Sequence, residues 1–288
     1  FASLFGTGDG IYHDAETDSM RFGPLDEGFR QMVQYFSELY AEELIPIDFL
    51  TLDSAQLNQL MTTDGSFIYY GYTNNIDTYN QSGQETNPDF QLKAMVPPEG
   101  PGGRYNGTTG FITEGLTITS TTKKLDEALA FLDWLYSDEG MEAVSWGIEG
   151  VSYEVVNGQK KYVDAITDLT VLTRDFGIKS SGNYQRFNQD AWMTLLSEQS
   201  REAQQIALDY MRPMRPDPAL TAEEQESIQI KRDAVGKYFE ENISKFIVGQ
   251  RPISEYDAYL QGLKDLGAED ILAVYQKAYE RQKAQLGN

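Results

Sequence analysis

The chain has 288 residues, a length that suits two domains or one large one at roughly 100–200 residues per domain. Hydrophobic residues make up 40% and aromatics 12%, enough for a packed core and against global disorder. Acidic residues outnumber basic ones 45 to 23, for a net charge of -22, and cysteine is absent; this argues against nucleic acid and anionic membrane surfaces and excludes disulfides and thiolate metal sites.

The start, Phe1-Ala2-Ser3-Leu4-Phe5-Gly6, has no initiator Met, basic region or signal core, and no run approaches the ~18 apolar residues of a membrane span. Gly6-Thr7-Gly8-Asp9-Gly10 lacks the Lys or G-x-x-G frame of a phosphate loop and reads as a turn. His13 is the single histidine, expected in an exposed polar loop, and no G-x-S-x-G places a serine, so a hydrolase triad has no base. Asp14, Glu16 and Asp18 alternate like the first ligands of a calcium loop. Ser19 and Leu25 stand where that loop needs Gly and Glu, so no metal and no cofactor is expected.

Over residues 24–44, Leu25, Phe29, Met32, Phe36, Leu39 and Tyr40 recur at helical spacing, with Pro24 suited to the first turn and Pro46 beyond the end. Residues 54–61 read as a short helix, and 66–72, Ser-Phe-Ile-Tyr-Tyr-Gly-Tyr, as a buried strand. A polar loop follows, then an alternating strand over 90–96, ended by the Pro/Gly-rich stretch 97–103. A further extended region, 109–119, feeds a helix carrying Leu125, Ala128, Leu129, Leu132 and Leu135, and Ser137 caps a second short helix. Asn157-Gly158 marks a hairpin between 153–156 and 159–163. Beyond Asn188 the pattern is helical. One helix carries Trp192 to Tyr210, a second opens on the capping box Thr221-x-x-Glu224 and ends near Val248, a third is capped by Ser254, and a fourth spans 271–282. Strands alternating with helices, then a helical tail, predict an α/β fold.

The 18 tyrosines outnumber the 14 phenylalanines, and Tyr69, Tyr70 and Tyr72 lead into Asn74, Asn75 and Asp77. Loops leaving strand ends hold ligands in open α/β sheets, and flat rings beside amides suit sugars. Alternation places at least one of Tyr69 and Tyr70 in the core. Paired carboxylates could run glycoside hydrolysis, but among 45 acids no pattern singles out a pair.

The stretch Leu-Asp-Glu-Ala-Leu-Ala-Phe-Leu-Asp-Trp-Leu-Tyr-Ser-Asp-Glu-Gly-Met-Glu-Ala-Val over 125–144 resembles the signature helix pair of extracellular solute-binding proteins of ABC importers. It is similar to the maltose-binding-protein-like family 1, and to its Gram-positive lipoprotein branch binding oligosaccharides. Gly147-Ile148-Glu149-Gly150 with Tyr153, the 64–77 segment, and Lys245-Phe246-Ile247-Val248-Gly249 through Arg281 continue the likeness in the family's order. The resemblance implies a periplasmic-binding-protein-like type II α/β fold and the C-terminal portion of a two-lobed protein, mainly the second lobe with a helical C-terminal region. It divides the chain into 1–108, second-lobe α/β; 109–148, a strand-helix crossover normally packing on the first lobe; and 149–288, the return to the second lobe.

What it implies for function is capture of an oligosaccharide or other solute without chemistry, for ABC permease subunits, at the cell surface, with a lipid anchor upstream of this chain and no nucleic-acid partner. Carried onto this chain, Tyr72 and Trp146 become stacking platforms and Asn74, Asn75 and Glu149 hydroxyl partners, with Tyr184 and Arg186 as additions. For Trp146 a core anchor of the preceding helix is an equal alternative. A polysaccharide hydrolase using an Asp/Glu pair, and a structural or adhesion module whose tyrosines are all core, remain the competing readings.

Overall fold

The structure, a computed structural model, describes residues 1–63, 65–108, 116–179, 186, 188–215 and 217–287. In chain order its elements are β1 Ile11–Asp14, β2 Ser19–Phe22, α1 Glu27–Ala41, α2 Ser54–Thr62, α3 Asn75–Gln84, β3 Asn106–Thr108, α4 Leu125–Tyr136 and α5 Asp138–Ser145. There follow β4 Tyr153–Val156, β5 Gln159–Tyr162, α6 Leu169–Phe176, α7 Gln189–Met193, α8 Glu198–Asp209, β6 Met211–Pro213, α9 Ala222–Ile247, α10 Tyr256–Asp265 and α11 Ala268–Leu286. Among the described residues no helix is long and apolar enough to cross a membrane. The mixture is α/β, as expected, with strands in short pairs: β1–β2 and β4–β5 antiparallel, β3–β6 parallel.

Contacts divide the chain into two compact units. Unit 1 holds 1–57, 96–110 and 210–288. Its core is where the helical spacing read from sequence meets itself: Phe29 and Val33 of α1, Ile228 and Val235 of α9, Tyr259 and Leu263 of α10 and Ile271 of α11 form one buried cluster. The capping box forms as expected, Glu224 N donating to Thr221 Oγ1 at 3.2 Å and Thr221 N to Glu224 Oε2 at 2.9 Å. Ser254 does not cap α10; it lies in a 3-10 turn, Ile253–Glu255, that precedes the helix.

The hairpin β1–β2 replaces the expected acidic loop. His13 is not an exposed loop residue: it lies on β1, its side chain 9% exposed, with Nε2 3.0 Å from Asp18 and 3.1 Å from the Tyr279 hydroxyl. Asp14 closes the turn by accepting from Glu16 N at 2.9 Å and from the Thr17 hydroxyl, while Asp18 receives the Tyr279 hydroxyl and the Lys283 ammonium of α11. The latter bonds, Lys283 first, hold the Asp18 carboxyl far below the usual carboxylate range.

Unit 2 holds 58–95 and 111–209. Its hairpin β4–β5 turns at Asn157 and Gly158, whose φ values of 54° and 80° are the left-handed pair that an Asn-Gly turn supplies. The expected strands at 66–72 and 90–96 are absent. A strand needs a neighbour for its backbone donors and acceptors. Here the Leu92 N and O are instead taken by the Asn80 side chain, at 2.6 and 3.2 Å, and the Phe90 O by Gln84 at 3.0 Å. Residues 116–119 form no strand either, and 109–115 lie outside the described residues. The expected helix from Trp192 to Tyr210 breaks into α7 and α8.

Candidate functional site

The residues singled out in the 72–77 stretch sit at the start of α3 in unit 2. Sequence reading left 73–89 as a polar loop because α3 has a sparse apolar stripe, with Ile76 and Tyr79 as its buried side chains. The helix is fixed instead by polar locks. Ser197, just before α8, donates both its N–H, at 3.2 Å, and its hydroxyl to the Asp77 carboxylate. Thr73 Oγ1 donates to Gln204 Oε1 on α8 at 2.9 Å. Asn75 Nδ2 donates to the Tyr69 hydroxyl at 2.8 Å, and the Tyr69 ring stands edge-on to Tyr79 at 5.2 Å. Tyr69 is thus the member of its pair that turns inward.

On this fixed base Tyr72 is 80% exposed, so both ring faces are open to solvent. Asn74 is half-buried, and among the described residues its side chain has no hydrogen-bond partner. An open phenol ring beside an amide with spare donors and an acceptor can stack on and hydrogen-bond a polyhydroxyl ligand.

Trp146 behaves differently. It is 5% exposed, with its ring 4.7 Å from Tyr162 and 5.8 Å from Tyr153, and its faces are covered by protein. Ser152 Oγ donates to Trp146 O at 2.7 Å, and Tyr162 donates to Ser145 O at 2.6 Å. Gly147 has φ +82°, and an added Cβ would lie 2.4 Å from Ser152 Oγ, so the turn after Trp146 needs glycine. As a stacking platform Trp146 is corrected by this burial; it anchors a cluster that includes Ala191 of α7, the helix leading to Ser197. Glu149 is exposed on the turn into β4. The Arg186 guanidinium donates to Tyr136 O at 3.1 Å and Asp138 Oδ1 at 3.0 Å, which ties it to the α4–α5 junction. Tyr184 lies outside the described residues.

Unit 2 also has a depression of about 260 Å³ lined by Met61, Ser66, Phe67, Asn87, Asp89, Phe90, Gln91 and Leu92. Phe90 packs flat on Gly83 of α3, where a Cβ would come within 2.4 Å of its ring. Sequence reading missed this concavity because its members come from either side of α3. Among the described residues no group of three His, Cys, Asp or Glu could hold a metal. Among the described residues burial pushes one carboxyl up, Asp217 in unit 1, with Arg232 opposing the shift and Asp9 adding to it.

Residues 2–142 match the family model described as bacterial extracellular solute-binding protein. The chain is 21% identical to the polygalacturonan/rhamnogalacturonan-binding protein YtcQ of Bacillus subtilis, over 96% of this chain and 56% of the relative. It is 29% identical to the lipoprotein LipO of Bacillus subtilis, over 45% of this chain and 27% of the relative. Among solved structures, the alginate-binding protein AlgQ2 without calcium ion superimposes with a TM-score of 0.76 at 19% identity, covering 97% of this chain and 62% of that one. The S. pneumoniae ABC-transporter substrate-binding protein FusA in complex with kestose gives 0.67 at 17% identity, covering 99% and 60%. The chain therefore spans less than two thirds of the length of these relatives.

Proposed function

We propose that the chain, whose residues 2–142 match the bacterial extracellular solute-binding protein model, captures a carbohydrate, without chemistry, for uptake by an ABC importer. The observation that carries the reading is Tyr72, a fully presented ring on a helix start that Ser197 and Gln204 hold in place. A rigid aromatic platform loses little entropy on binding, and Asn74 and Asn75 stand next to it to meet hydroxyls. Glu149 is the further acceptor. Arg186, paired with Asp138, positions the α4–α5 junction rather than the ligand. In the whole protein the ligand acts by favouring a closed state over an open one, through contacts that both walls make together. Relatives with extracellular and lipoprotein descriptions support a surface location, with a lipid anchor as the means of attachment.

Titration calorimetry of the chain against a glycan panel tests this. Tyr72→Ala should weaken binding about tenfold, near 1.4 kcal/mol, with an unchanged melting temperature. Binding of peptides alone, or equal affinity in the variant, would sink the proposal, and release of shortened glycans would move the protein to the hydrolases.

A further inference from the structure

The relatives bind chemically different glycans: alginate and polygalacturonan carry a carboxylate on their sugar rings, whereas kestose is neutral. Resting on the carbohydrate reading above, we propose that the ligand of this chain is a neutral, hydroxyl-rich oligosaccharide, and that the exposed features of unit 2 reject uronates.

A cation is the strongest partner for a bound uronate, because taking an unpaired carboxylate out of water costs several kcal/mol and Arg or Lys offsets it best. Five of the nine basic residues of unit 2 are engaged by protein groups, and the other four, Lys93, Lys123, Lys124 and Lys179, do not line the depression. Lys160 pairs with Glu142, Lys161 with Asp164, Arg174 with Asp175 and Arg186 with Asp138. Arg201 donates to Leu196 O at 2.7 Å.

The 58–95 segment, which carries both Tyr72 and all of α3, has Lys93 as its single basic residue, and Lys93 is not among the residues lining the depression. The polar groups at the depression are those of Ser66, Asn87, Asp89 and Gln91, beside the rings of Phe67 and Phe90. Around Tyr72 they are the amides of Asn74 and Asn75. Amides, hydroxyls and aromatic faces repeat at both places, and the carboxylate Asp89 would repel a uronate. The net charge of -22 adds a long-range term of the same sign.

The test compares kestose and maltotriose with trigalacturonate and trimannuronate, by calorimetry on the chain and by saturation-transfer NMR for weak binding, at low and high salt. At least one neutral trimer should bind about tenfold or more tightly than either uronate, with an affinity indifferent to salt. A uronate bound as tightly as the neutral trimers, and released as salt rises, overturns the inference and leaves carbohydrate capture standing. If none of the four trimers binds at either salt, the carbohydrate reading itself falls, and this inference with it.

Discussion

Around α9, α10 and α11, Phe246, Tyr256 and Tyr259 are sealed from solvent with ring centroids 5.1–5.5 Å apart, and the faces of four helices meet over them. In unit 2 a smaller knot closes around Trp146, while Phe67 is 84% and Phe131 57% exposed and the whole of α4 buries Leu135 alone. The residue types are alike in the two regions. What differs is where each segment finds its partners. Helices satisfy their own backbone, so an apolar stripe needs another stripe, and unit 1 supplies several in sequence. An apolar extended segment also needs backbone partners along its length. In the 66–72 segment Tyr69 turns inward while Phe67, Ile68, Tyr70 and Tyr72 face solvent, and among the described residues it pairs with no strand.

The contrast is broken most forcefully at Trp146. If the closed knot is what orders unit 2, Trp146→Ala should cost about 3–5 kcal/mol in urea unfolding, the range for emptying a buried aromatic. Tyr72→Ala, in solvent, should stay within about 0.5 kcal/mol. Equal and small effects at both positions would return Trp146 to the ligand.

Much of this was legible in the sequence where the signal is local. The Asn157-Gly158 turn, the Thr221–Glu224 box and the period of α1 and α4 each need a few neighbours along the chain, and each forms. Tyr72 and its amides were found as a Tyr/Asn-rich stretch; what held them was not, because the Asp77–Ser197 bond spans 120 residues. The expected strands failed for the same reason: their pattern says that a side chain could pack, and nothing about which backbone will pair. Trp146 was undecidable from its own neighbourhood, since the rings that cover it arrive with β4 and β5.

A smaller effect is expected at the capping box of unit 1. Thr221→Ala should cost about 1 kcal/mol by freeing the N–H of Glu224. The box also ties stability to pH. The Glu224 carboxyl is lowered to about 2, first by the Arg281 guanidinium and then by Thr221 N–H. A depressed carboxyl contributes stability above its unfolded pKa near 4.5, and the contribution is lost as pH falls through about 2. Asp217, raised by burial, has the opposite slope, stabilising at low pH and losing this as pH rises. Melting followed by circular dichroism between pH 7 and pH 2 should therefore fall less steeply in Glu224→Gln, whose amide can still close the box.

The sealed tyrosines carry a cost of their own. Among the described residues the Tyr256 and Tyr259 hydroxyls are buried without a hydrogen-bond partner, and burial pushes both phenols far above their ordinary pKa. Tyr259→Phe keeps the ring, its stacking on Tyr238 and the Arg251 guanidinium 5.9 Å away, while removing the unsatisfied oxygen. It should stabilise the chain by up to about 1 kcal/mol, read as a higher urea midpoint with an unchanged slope. A lower midpoint would mean that the hydroxyl has a partner in solution.

The smallest expected change lies on α4, and it asks whether the exposed face is used in the isolated chain. Leu125, Leu129 and Phe131 stand in solvent on a regular helix. If they touch nothing, Leu129→Ser changes stability by no more than about 0.5 kcal/mol, mostly through helix propensity. Binding of the dye ANS, which reports exposed apolar surface, should nonetheless fall, and fall further when Phe131→Ser is added. A loss of more than about 2 kcal/mol would show that α4 is packed in solution, as a Leu in a core would be. The difference between the units would then lie in backbone pairing alone, because both would have closed their helices and unit 2 would still lack a ladder for 66–72.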